Sequence, residues 1–376
     1  MRIFTLLLSI CTFLGVAAQT DGYYRVQNTK TQRYITVTDN RGSVNVTTTD
    51  ADLGSLKTIK GYDKVVSNPA SVIYLDNVGD RSYNLKSQGV DTHSIIGYYV
   101  QLVSSRKVTG AYRACAQASG MTKYLSDEDW TGSEGALMTT GESTSHWYLL
   151  PIDEDTDNYF GITPNAEMSY DGSYFHTLYA AFPFEFASEG MKAYYVTKVG
   201  NGMAVWKEVQ DGIVPASTPV IIRCASTDVA ENKLSLLTST SAKVSGNLLS
   251  GVYFNNSSNK HNNQKAYNPE TMRVLGKTKS GDLGFVVAKG LDYIPANTVY
   301  LTVAKGTPEE LKLVTQAEYD EVVAGVEEVV VETTPIAQGV YSLCGVKLSD
   351  DHSALQNAPA GIYIVDGKKV VIRNRR

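Results

Sequence analysis

Short runs in which apolar and polar residues alternate, separated by polar or glycine-containing turns, recur along almost the whole chain. Residues 24–27 and 34–37 form one such pair, and residues 112–116 and 123–126 form another. A period of two places successive side chains on opposite faces of a strand, and a turn between two such runs predicts a hairpin. The 24 tyrosines and 31 glycines suit half-buried sheets with many turns. The pattern therefore predicts an all-β fold.

The first 18 residues have the pattern of a cleaved signal peptide. Met1 and Arg2 give a small positive start, residues 3–16 are apolar, and Ala18 is a suitable small residue at the cleavage point. This run is too short for a membrane anchor, and no later apolar run approaches the length of a membrane-spanning helix. We therefore expect export, and no membrane span in the mature chain.

The charge of the chain limits the classes of partner that it is expected to bind, and its cysteine content limits the roles expected of its thiols. The net charge is −5 and the chain has no basic stripe, which argues against nucleic acid as a partner. Cys115, Cys224 and Cys344 remain after cleavage. Their odd number and wide spacing fit neither a complete disulfide framework nor a zinc site. We expect buried free thiols that act as small apolar residues.

Residues 19–154 are predicted to form a first domain of three similar units. Units led by Tyr24 and Tyr112 each contain a hairpin, and a shorter, irregular unit starts near Tyr83. The third unit ends in a Trp147-Tyr-Leu strand, and residues 71–75 are the matching strand of the first unit. This arrangement resembles a ricin-type β-trefoil, in which three lobes pack around a pseudo-threefold axis.

The trefoil resemblance implies a lectin-like domain. Sugar sites of that family use an acidic residue just after the second strand of a unit, an aromatic platform and a polar partner near the closing strand. Thr36 and Ser126 stand at the acidic position in the first and third units. The family's own sugar site is therefore not expected to be conserved in these two units.

Residues 155–316 are predicted to form a second, β-sandwich-like domain with an internal echo. Pro215-Ala-Ser-Thr and Pro295-Ala-Asn-Thr, two turn signals, each stand directly before an apolar strand. The echo suggests two corresponding halves of one sheet pair. With predicted strands at 178–182 and 192–196, the segment resembles an all-β module common in exported proteins of the Bacteroidetes. That resemblance implies no activity.

Residues 317–337 are predicted to be a linker. Thr315-Gln-Ala-Glu fits a helix capping box, so a short helical segment is expected over 315–323. The acidic stretch that starts at Gly325 is typical of extended chain with an edge strand.

Residues 338–376 are predicted to be a short C-terminal β-module. Two β-patterned runs flank the turn pair Asp366-Gly367. Together with Tyr341-Ser-Leu-Cys-Gly, they resemble the sorting module of Bacteroidetes proteins exported through type IX machinery or a close relative. The resemblance implies that the export machinery is a partner. The predicted fold class is thus all-β: a β-trefoil-like domain, a β-sandwich-like domain and a short C-terminal β-module.

The candidate ligand site is centred on Trp130, placed in a predicted turn of the third unit. Asp127 and Asp129 precede it closely, and Tyr124 lies on the strand before them. A sugar stacks its CH groups on an aromatic face while carboxylates accept hydrogen bonds from its hydroxyls. The competing interpretation is a capped hydrophobic turn without a ligand.

Asp153, Asp155 and Asp157 alternate in a loop, as oxygen ligands of a calcium ion would. Asn158 and Pro164 occupy the positions where a helix-loop-helix calcium site needs glycine and glutamate. The competing interpretation is an acidic inter-domain linker kept soluble by its charges. No cofactor beyond this calcium ion is predicted.

The leading hypothesis is a secreted or surface-exposed protein that recognises a glycan or a host or matrix component without catalysis. The five histidines are scattered, and no serine elbow or cysteine–histidine pattern supports an enzyme. One alternative is a secreted hydrolase of glycans or peptides with an unrecognised site, and another is a structural surface or assembly component. The asparagine-rich residues 255–264 are interpreted either as a flexible surface loop or as a recognition loop.

Overall fold

A computed structural model describes residues 19–39, 56–79, 81–91, 99–118, 120–130, 133–139, 144–256, 263–327 and 338–373. The chain is all-β, as predicted. It divides into two compact units, Met1–Tyr319 and Asp320–Arg376, which are treated separately below. The predicted signal peptide, residues 1–18, lies outside the described residues.

The first part of the larger unit contains eleven strands in one sheet. They are β1 (Gly22–Asn28), β2 (Arg33–Val37), β3 (Leu56–Lys60), β4 (Ile73–Gly79), β5 (Ser82–Ser87), β6 (Val90–Asp91), β7 (Val100–Ser104), β8 (Tyr112–Ala118), β9 (Met121–Trp130), β10 (Ser133–Thr139) and β11 (His146–Pro151). Six of them close a ring through antiparallel pairs in the order β1, β4, β5, β7, β8, β11 and back to β1. Strands β2–β3, β6 and β9–β10 extend from β1, β5 and β8 respectively.

The strand register repeats three times around this ring. In each third, a tyrosine of the first strand pairs with a buried residue at the start of the closing strand: Tyr24 with Ile73, Tyr83 with Val100, and Tyr112 with Trp147. Each tyrosine also pairs with the residue four positions further along the closing strand of the preceding third: Pro151, Asn77 and Ser104. A closed six-stranded ring with this threefold register is the predicted β-trefoil arrangement.

The three equivalent tyrosines meet the start of the described chain. The Tyr24 hydroxyl donates to the Thr20 carbonyl at 3.0 Å, Tyr83 to the Gln19 carbonyl at 3.2 Å, and Tyr112 to Gln19 Oε1 at 3.0 Å. A buried phenol needs such a partner, because an unpaired hydroxyl is costly away from water. Residues 19 and 20 therefore supply the hydrogen-bond acceptors for the tyrosine hydroxyls at one end of the trefoil ring.

The second part of the larger unit adds thirteen strands. They are β12 (Phe160–Gly161), β13 (Asn165–Tyr170), β14 (Ser173–Leu178), β15 (Phe184–Phe186), β16 (Lys192–Gly200), β17 (Met203–Glu208), β18 (Val220–Cys224), β19 (Lys233–Leu236), β20 (Leu249–Val252), β21 (Met272–Lys277), β22 (Leu283–Val286), β23 (Thr298–Thr302) and β24 (Glu310–Val314). Ten form one sheet in the order β13-β14-β18-β16-β17-β24-β22-β21-β23-β20, and β12-β19-β15 form a smaller sheet.

The two Pro-Ala-x-Thr turns occupy equivalent places in the ten-stranded sheet. A hairpin, β16–β17 or β21–β22, precedes each turn, and the strand after it, β18 or β23, pairs with the first strand of that hairpin. Ser217 and Asn297, at the third position of the motif, have φ angles of 59° and 58°. The sequence echo therefore reflects a repeated hairpin–turn–strand unit.

Two hydrophobic clusters dominate the core. One fills the trefoil ring around Leu75, Leu125 and Trp147. The other joins both halves of the ten-stranded sheet, for example Ile221 with Phe285 and their buried neighbours. Burial of these side chains is the main stabilising contribution to the larger unit.

The two clusters are tied together by the buried guanidinium of Arg25 on β1. It donates to Asn158 Oδ1 at 2.7 Å and to the carbonyls of Tyr159 and Val66 at 2.9 and 3.1 Å. Its centre lies 5.2 Å from the middle of the Tyr62 ring. Burial lowers the pKa of Arg25 from its ordinary value. The segment after β11, predicted as a solvated acidic linker, is thus anchored at Asn158.

The asparagine-rich segment is also anchored to the trefoil. Asn256 Nδ2 donates to the buried carboxylate of Asp39 at 3.1 Å, and the Asn263 amide donates to the other oxygen of that carboxylate. The Asn263 N–H donates to the Asn256 carbonyl at 2.9 Å and closes the loop. The intervening residues, 257–262, lie outside the described residues.

Some local predictions were wrong. Strand β14 ends at Leu178, so the predicted strand 178–182 continues as irregular chain. The helix α1 (Gln316–Glu327) is longer than expected and occupies the first part of the predicted linker. Its capping box is confirmed, because the Glu318 carboxylate accepts from the Thr315 N–H at 2.6 Å while Thr315 Oγ1 accepts from the Glu318 N–H at 3.2 Å.

Five short 3₁₀ helices complete the described elements. They span Tyr62–Lys64, Pro69–Ser71, Gln210–Gly212, Val229–Glu231 and His352–Asn357. Within the described ranges, no helix has both the length and the apolar character needed to cross a membrane.

The smaller unit contains a four-stranded sheet in the order β26-β25-β27-β28. Its strands are β25 (Val340–Ser342), β26 (Lys347–Ser349), β27 (Gly361–Val365) and β28 (Lys368–Ile372). Asp366 and Gly367, with φ angles of 49° and 76°, form the predicted two-residue turn between the last two strands. Cys344 is exposed in this unit, whereas Cys115 and Cys224 are buried, so the expectation of a buried thiol was wrong for Cys344.

Candidate functional site

Asp127, predicted to face a ligand, is completely buried in the trefoil. Its carboxylate accepts from Arg33 Nε at 2.9 Å, Arg33 Nη2 at 2.8 Å and Thr58 Oγ1 at 2.9 Å, and from the Thr31 hydroxyl. These donors occupy both oxygens, and no surface of the side chain is exposed. Asp127 therefore cross-links β9 to the first trefoil unit, and its assignment as a surface ligand for a sugar needs correction.

The rest of the predicted sugar platform lies on a strand instead of in a turn. Strand β9 runs without interruption to Trp130, which pairs with Ser133 of β10. The side chains of Asp129 and Trp130 lie outside the described part of the chain. Tyr124 is half-buried, and the Arg113 guanidinium lies 5.7 Å from the centre of its ring.

The three aspartates of the loop after β11, predicted as calcium ligands, lie in a turn closed by its own hydrogen bonds. Asp153 Oδ1 accepts the Asp155 N–H at 2.9 Å, which closes a local turn. Asp153, Asp155 and Asp157 are exposed. Within the described ranges, no group of three or more His, Cys, Asp or Glu side chains is placed to hold a metal ion. Calcium binding by this loop stays a prediction.

A cavity of about 360 Å³ lies between the trefoil and the second part of the larger unit. It forms next to the hairpin β5–β6, whose turn residues Gln88 and Gly89 have φ angles of 54° and 74°. Both angles lie in the left-handed region that a tight hairpin turn requires. We refer to this space as the first cavity.

A reciprocal amide pair fixes the position of that turn. Gln88 Nε2 donates to Asn297 Oδ1 and Asn297 Nδ2 donates to Gln88 Oε1, both at 2.9 Å. Asn297 Nδ2 also donates to the Tyr179 carbonyl at 2.9 Å. Both amides are buried, and each replaces the hydrogen bonds to water that the other loses on burial. The second Pro-Ala-x-Thr turn thereby holds the trefoil hairpin against the second sheet.

One wall of the first cavity is aromatic. The rings of Tyr23 on β1 and Tyr74 on β4 lie 5.0 Å apart, and Phe182 lies 5.9 Å from Tyr23 on the other side. Phe182 continues into the second core through Phe160, at 5.3 Å between ring centres. The wall is therefore supported by the hydrophobic cluster of the second sheet.

The first cavity also has a polar part. Its hydrogen-bonding side chains come from β5, the turn after it, β6 and the end of the second domain's small sheet: Lys86, Ser87, Gln88, Asp91 and Thr238. Lys86 is paired with the carboxylate of Asp76, and this hydrogen bond raises the pKa of the lysine. Ser87 Oγ is buried and has no hydrogen-bond partner. A buried hydroxyl without a partner among the described residues is unusual, and its oxygen keeps the capacity to donate and to accept a hydrogen bond.

The tyrosines of the aromatic wall remain protonated at physiological pH. Burial, together with the neighbouring Tyr74, raises the pKa of Tyr23 to about 12. Burial also raises the pKa of Tyr74, with further contributions from Asp21 and Asp76. The phenols are therefore neutral groups that stack and hydrogen-bond, and neither is poised to act as a base.

Sequence reasoning missed this cavity because its residues come from separate elements. Tyr23, Tyr74 and Phe182 stand at unrelated points of the chain and share no motif. The sequence signal nearest to the cavity was the second Pro-Ala-x-Thr motif. Its Asn297, with a positive φ angle, lies in the turn that holds the β5–β6 hairpin.

No protein-family model matches the chain, and no curated protein matches it. Among solved structures, "SeviL bound to asialo-GM1 saccharide" matches 35 % of this chain and 98 % of that chain, at 11 % identity and a TM-score of 0.25. At this TM-score the likeness is too low to support an inference about the fold or the ligand.

Proposed function

We propose that this protein is an exported, non-catalytic glycan-binding protein whose ligand enters the first cavity. The observation that carries the proposal is the combination of an aromatic wall, Tyr23, Tyr74 and Phe182, with a polar side in one space of about 360 Å³. Sugars need both, because their CH faces stack on rings while their hydroxyls require directed donors and acceptors.

Ser87 gives further support. Its Oγ lacks a partner, although the residue lines the first cavity. A sugar hydroxyl is able to donate to that oxygen and accept from it. Thr238 adds a second hydroxyl to the same lining.

The lining also favours binding over glycoside hydrolysis. Most glycosidases need two carboxyl groups on either side of the bond that is cleaved. Among the described residues that line the first cavity, Asp91 is the one carboxylate. The nearby carboxylate of Asp76 is held by Lys86.

Export and sorting are part of the proposal. They are supported by the signal-like first 18 residues and by the C-terminal hairpin with its Asp366-Gly367 turn. On this basis, the export machinery is a partner of the smaller unit, and the glycan belongs to a cell surface or matrix outside the producing cell.

A glycan array followed by isothermal titration with the mature chain tests the proposal. Tyr74→Ala should weaken binding of the array hits at least about tenfold, because it removes a ring from the wall. Tyr293→Ala, an exposed tyrosine that lines no part of this cavity, is the matched control. Absence of any glycan binding, or equal affinities for the two variants, would contradict the proposal. If Trp130→Ala abolished binding and Tyr74→Ala did not, the ligand site would lie on β9.

Ser87→Ala gives a second, sharper readout. Because the hydroxyl has no partner in the unliganded protein, its removal should leave the free energy of unfolding unchanged or slightly higher. The same change should lower the affinity for the glycan about fivefold, which is the effect of losing one hydrogen bond. Unchanged affinity would mean that the ligand does not reach this hydroxyl.

A further inference from the structure

A second cavity, of about 340 Å³, adjoins the first. The two share Gln88, Gly89 and Val90 as lining residues. The other walls of the second cavity include three aromatic residues from the second sheet and the segment after it: Tyr253, Phe254 and Tyr300. The hairpin turn of β5–β6 thus has an aromatic-lined cavity next to it on two sides.

The residue at the boundary leaves room for a ligand to cross. Gly89 is exposed and carries no side chain, so a chain passing over the turn meets only backbone there. A side chain at this position would be strained, because φ is 74°, and its Cβ would lie 3.4 Å from the Tyr253 ring. The Gln88–Asn297 amide pair keeps the turn at this place.

The charges of the two cavities differ. The first contains both Lys86 and Asp91. In the second, Lys265 is the one charged side chain among the described lining residues, and Asn263 adds an amide. Lys265 forms no ion pair within the described part of the chain, so its ammonium group is available to a ligand.

We infer that the ligand is an oligosaccharide that spans both cavities, with a neutral sugar in the first and a carboxylate-bearing sugar in the second. This inference rests on the proposed function and specifies its substrate class. Lys265 supplies the cation for the sugar carboxylate, and Tyr300 with Tyr253 supplies the apolar surface for the ring.

The test uses array hits arranged in length series of one to four sugars. Each neutral oligosaccharide is matched with one that carries a uronic acid in place of one hexose. We expect affinity to rise about tenfold once a second sugar is present. We expect the uronic version to bind roughly fivefold tighter than its neutral match at low salt, with the preference falling as salt is added.

Two variants separate the contributions of the cavities. Lys265→Gln should remove the preference for the uronic version and leave the affinity of a single neutral sugar unchanged. Lys289→Gln, at an exposed lysine that lines neither cavity, should change neither value. Tyr74→Ala should lower the affinity for every oligosaccharide of the series.

The outcomes also distinguish failure of this inference from failure of the proposed function. Affinity that does not depend on length, or a preference for acid that survives Lys265→Gln, would overturn the two-cavity ligand while glycan binding stands. No binding by any member of the series would overturn both.

Discussion

Asp127 provides the clearest test of how the trefoil is held together. In Asp127→Asn the shape of the side chain is kept, but the charge is lost and one acceptor oxygen becomes an amide donor. The four donors now on the carboxylate, two from Arg33 and one each from Thr31 and Thr58, then face a neutral group. The guanidinium of Arg33, 9 % exposed, loses the charge of the carboxylate that it contacts.

The size of the effect follows from this geometry. Breaking a buried ion pair by removing one partner costs about 3–5 kcal/mol, because the other charge stays buried. We expect a loss of about 3 kcal/mol in the free energy of unfolding, a large share of the roughly 5–15 kcal/mol typical of a folded domain. Urea titration of the mature chain, followed by tryptophan fluorescence, measures it. Trp147, which donates to the Leu125 carbonyl at 2.8 Å in the same core, reports on this region.

Two variants sharpen the test. Asp155→Asn removes an exposed carboxylate and should change stability by less than about 0.5 kcal/mol. Replacing the pair together, Arg33→Met with Asp127→Leu, should recover much of the loss, because no unpaired charge remains. If Asp127→Asn left stability unchanged and abolished glycan binding, Asp127 would be a ligand and the present reasoning would be refuted.

Three further predictions concern other parts of the chain. Tyr83→Phe should lower the free energy of unfolding by about 1 kcal/mol, because the Gln19 carbonyl loses its donor, whereas Tyr293→Phe should not; urea titration compares them. Burial lowers the pKa of half-buried His176, so the fold favours the neutral ring. Stability should therefore decline as pH falls through the unfolded pKa of about 6.5, and part of this decline should be absent in His176→Gln. Iodoacetamide at pH 8 should label Cys344 first, since Cys224 is buried with its pKa raised to about 12; equal labelling in a peptide map would contradict this.

The fold was predictable wherever local patterns decide the structure. Period-two alternation predicted the strands that lead the first and third trefoil units, and the Asp366-Gly367 pair predicted the last hairpin. The Pro-Ala-x-Thr echo marked equivalent turns, because in both motifs the third residue adopts a positive φ. In each case the residues that signal the element also form it.

Elements whose limits depend on packing were predicted less well. Asp127, Glu128 and Asp129 look like a turn because they are charged, yet β9 continues through them. Arg33 makes this possible by neutralising the buried Asp127. The segment after Leu178 looks like a strand, but its aromatic residue Phe182 instead packs into the core of the second sheet, against Phe160 and Tyr23.

The candidate site could not be predicted from local sequence. Its orphaned hydroxyl, Ser87, and its aromatic wall become neighbours only when β1, β4 and β5 close the ring against the second sheet. An exposed tryptophan next to acids is a stronger local signal, and it directed attention to Trp130. A site whose residues come from distant elements produces no motif of fixed spacing in the sequence.

Hydrogen–deuterium exchange with the tightest-binding array glycan tests the central claim most directly. If the ligand enters the first cavity, exchange should slow in the β5–β6 hairpin and in the segment around Phe182, with residues 121–139 unchanged. Protection confined to residues 121–139, the β9–β10 hairpin, would contradict this claim and place the ligand on that hairpin.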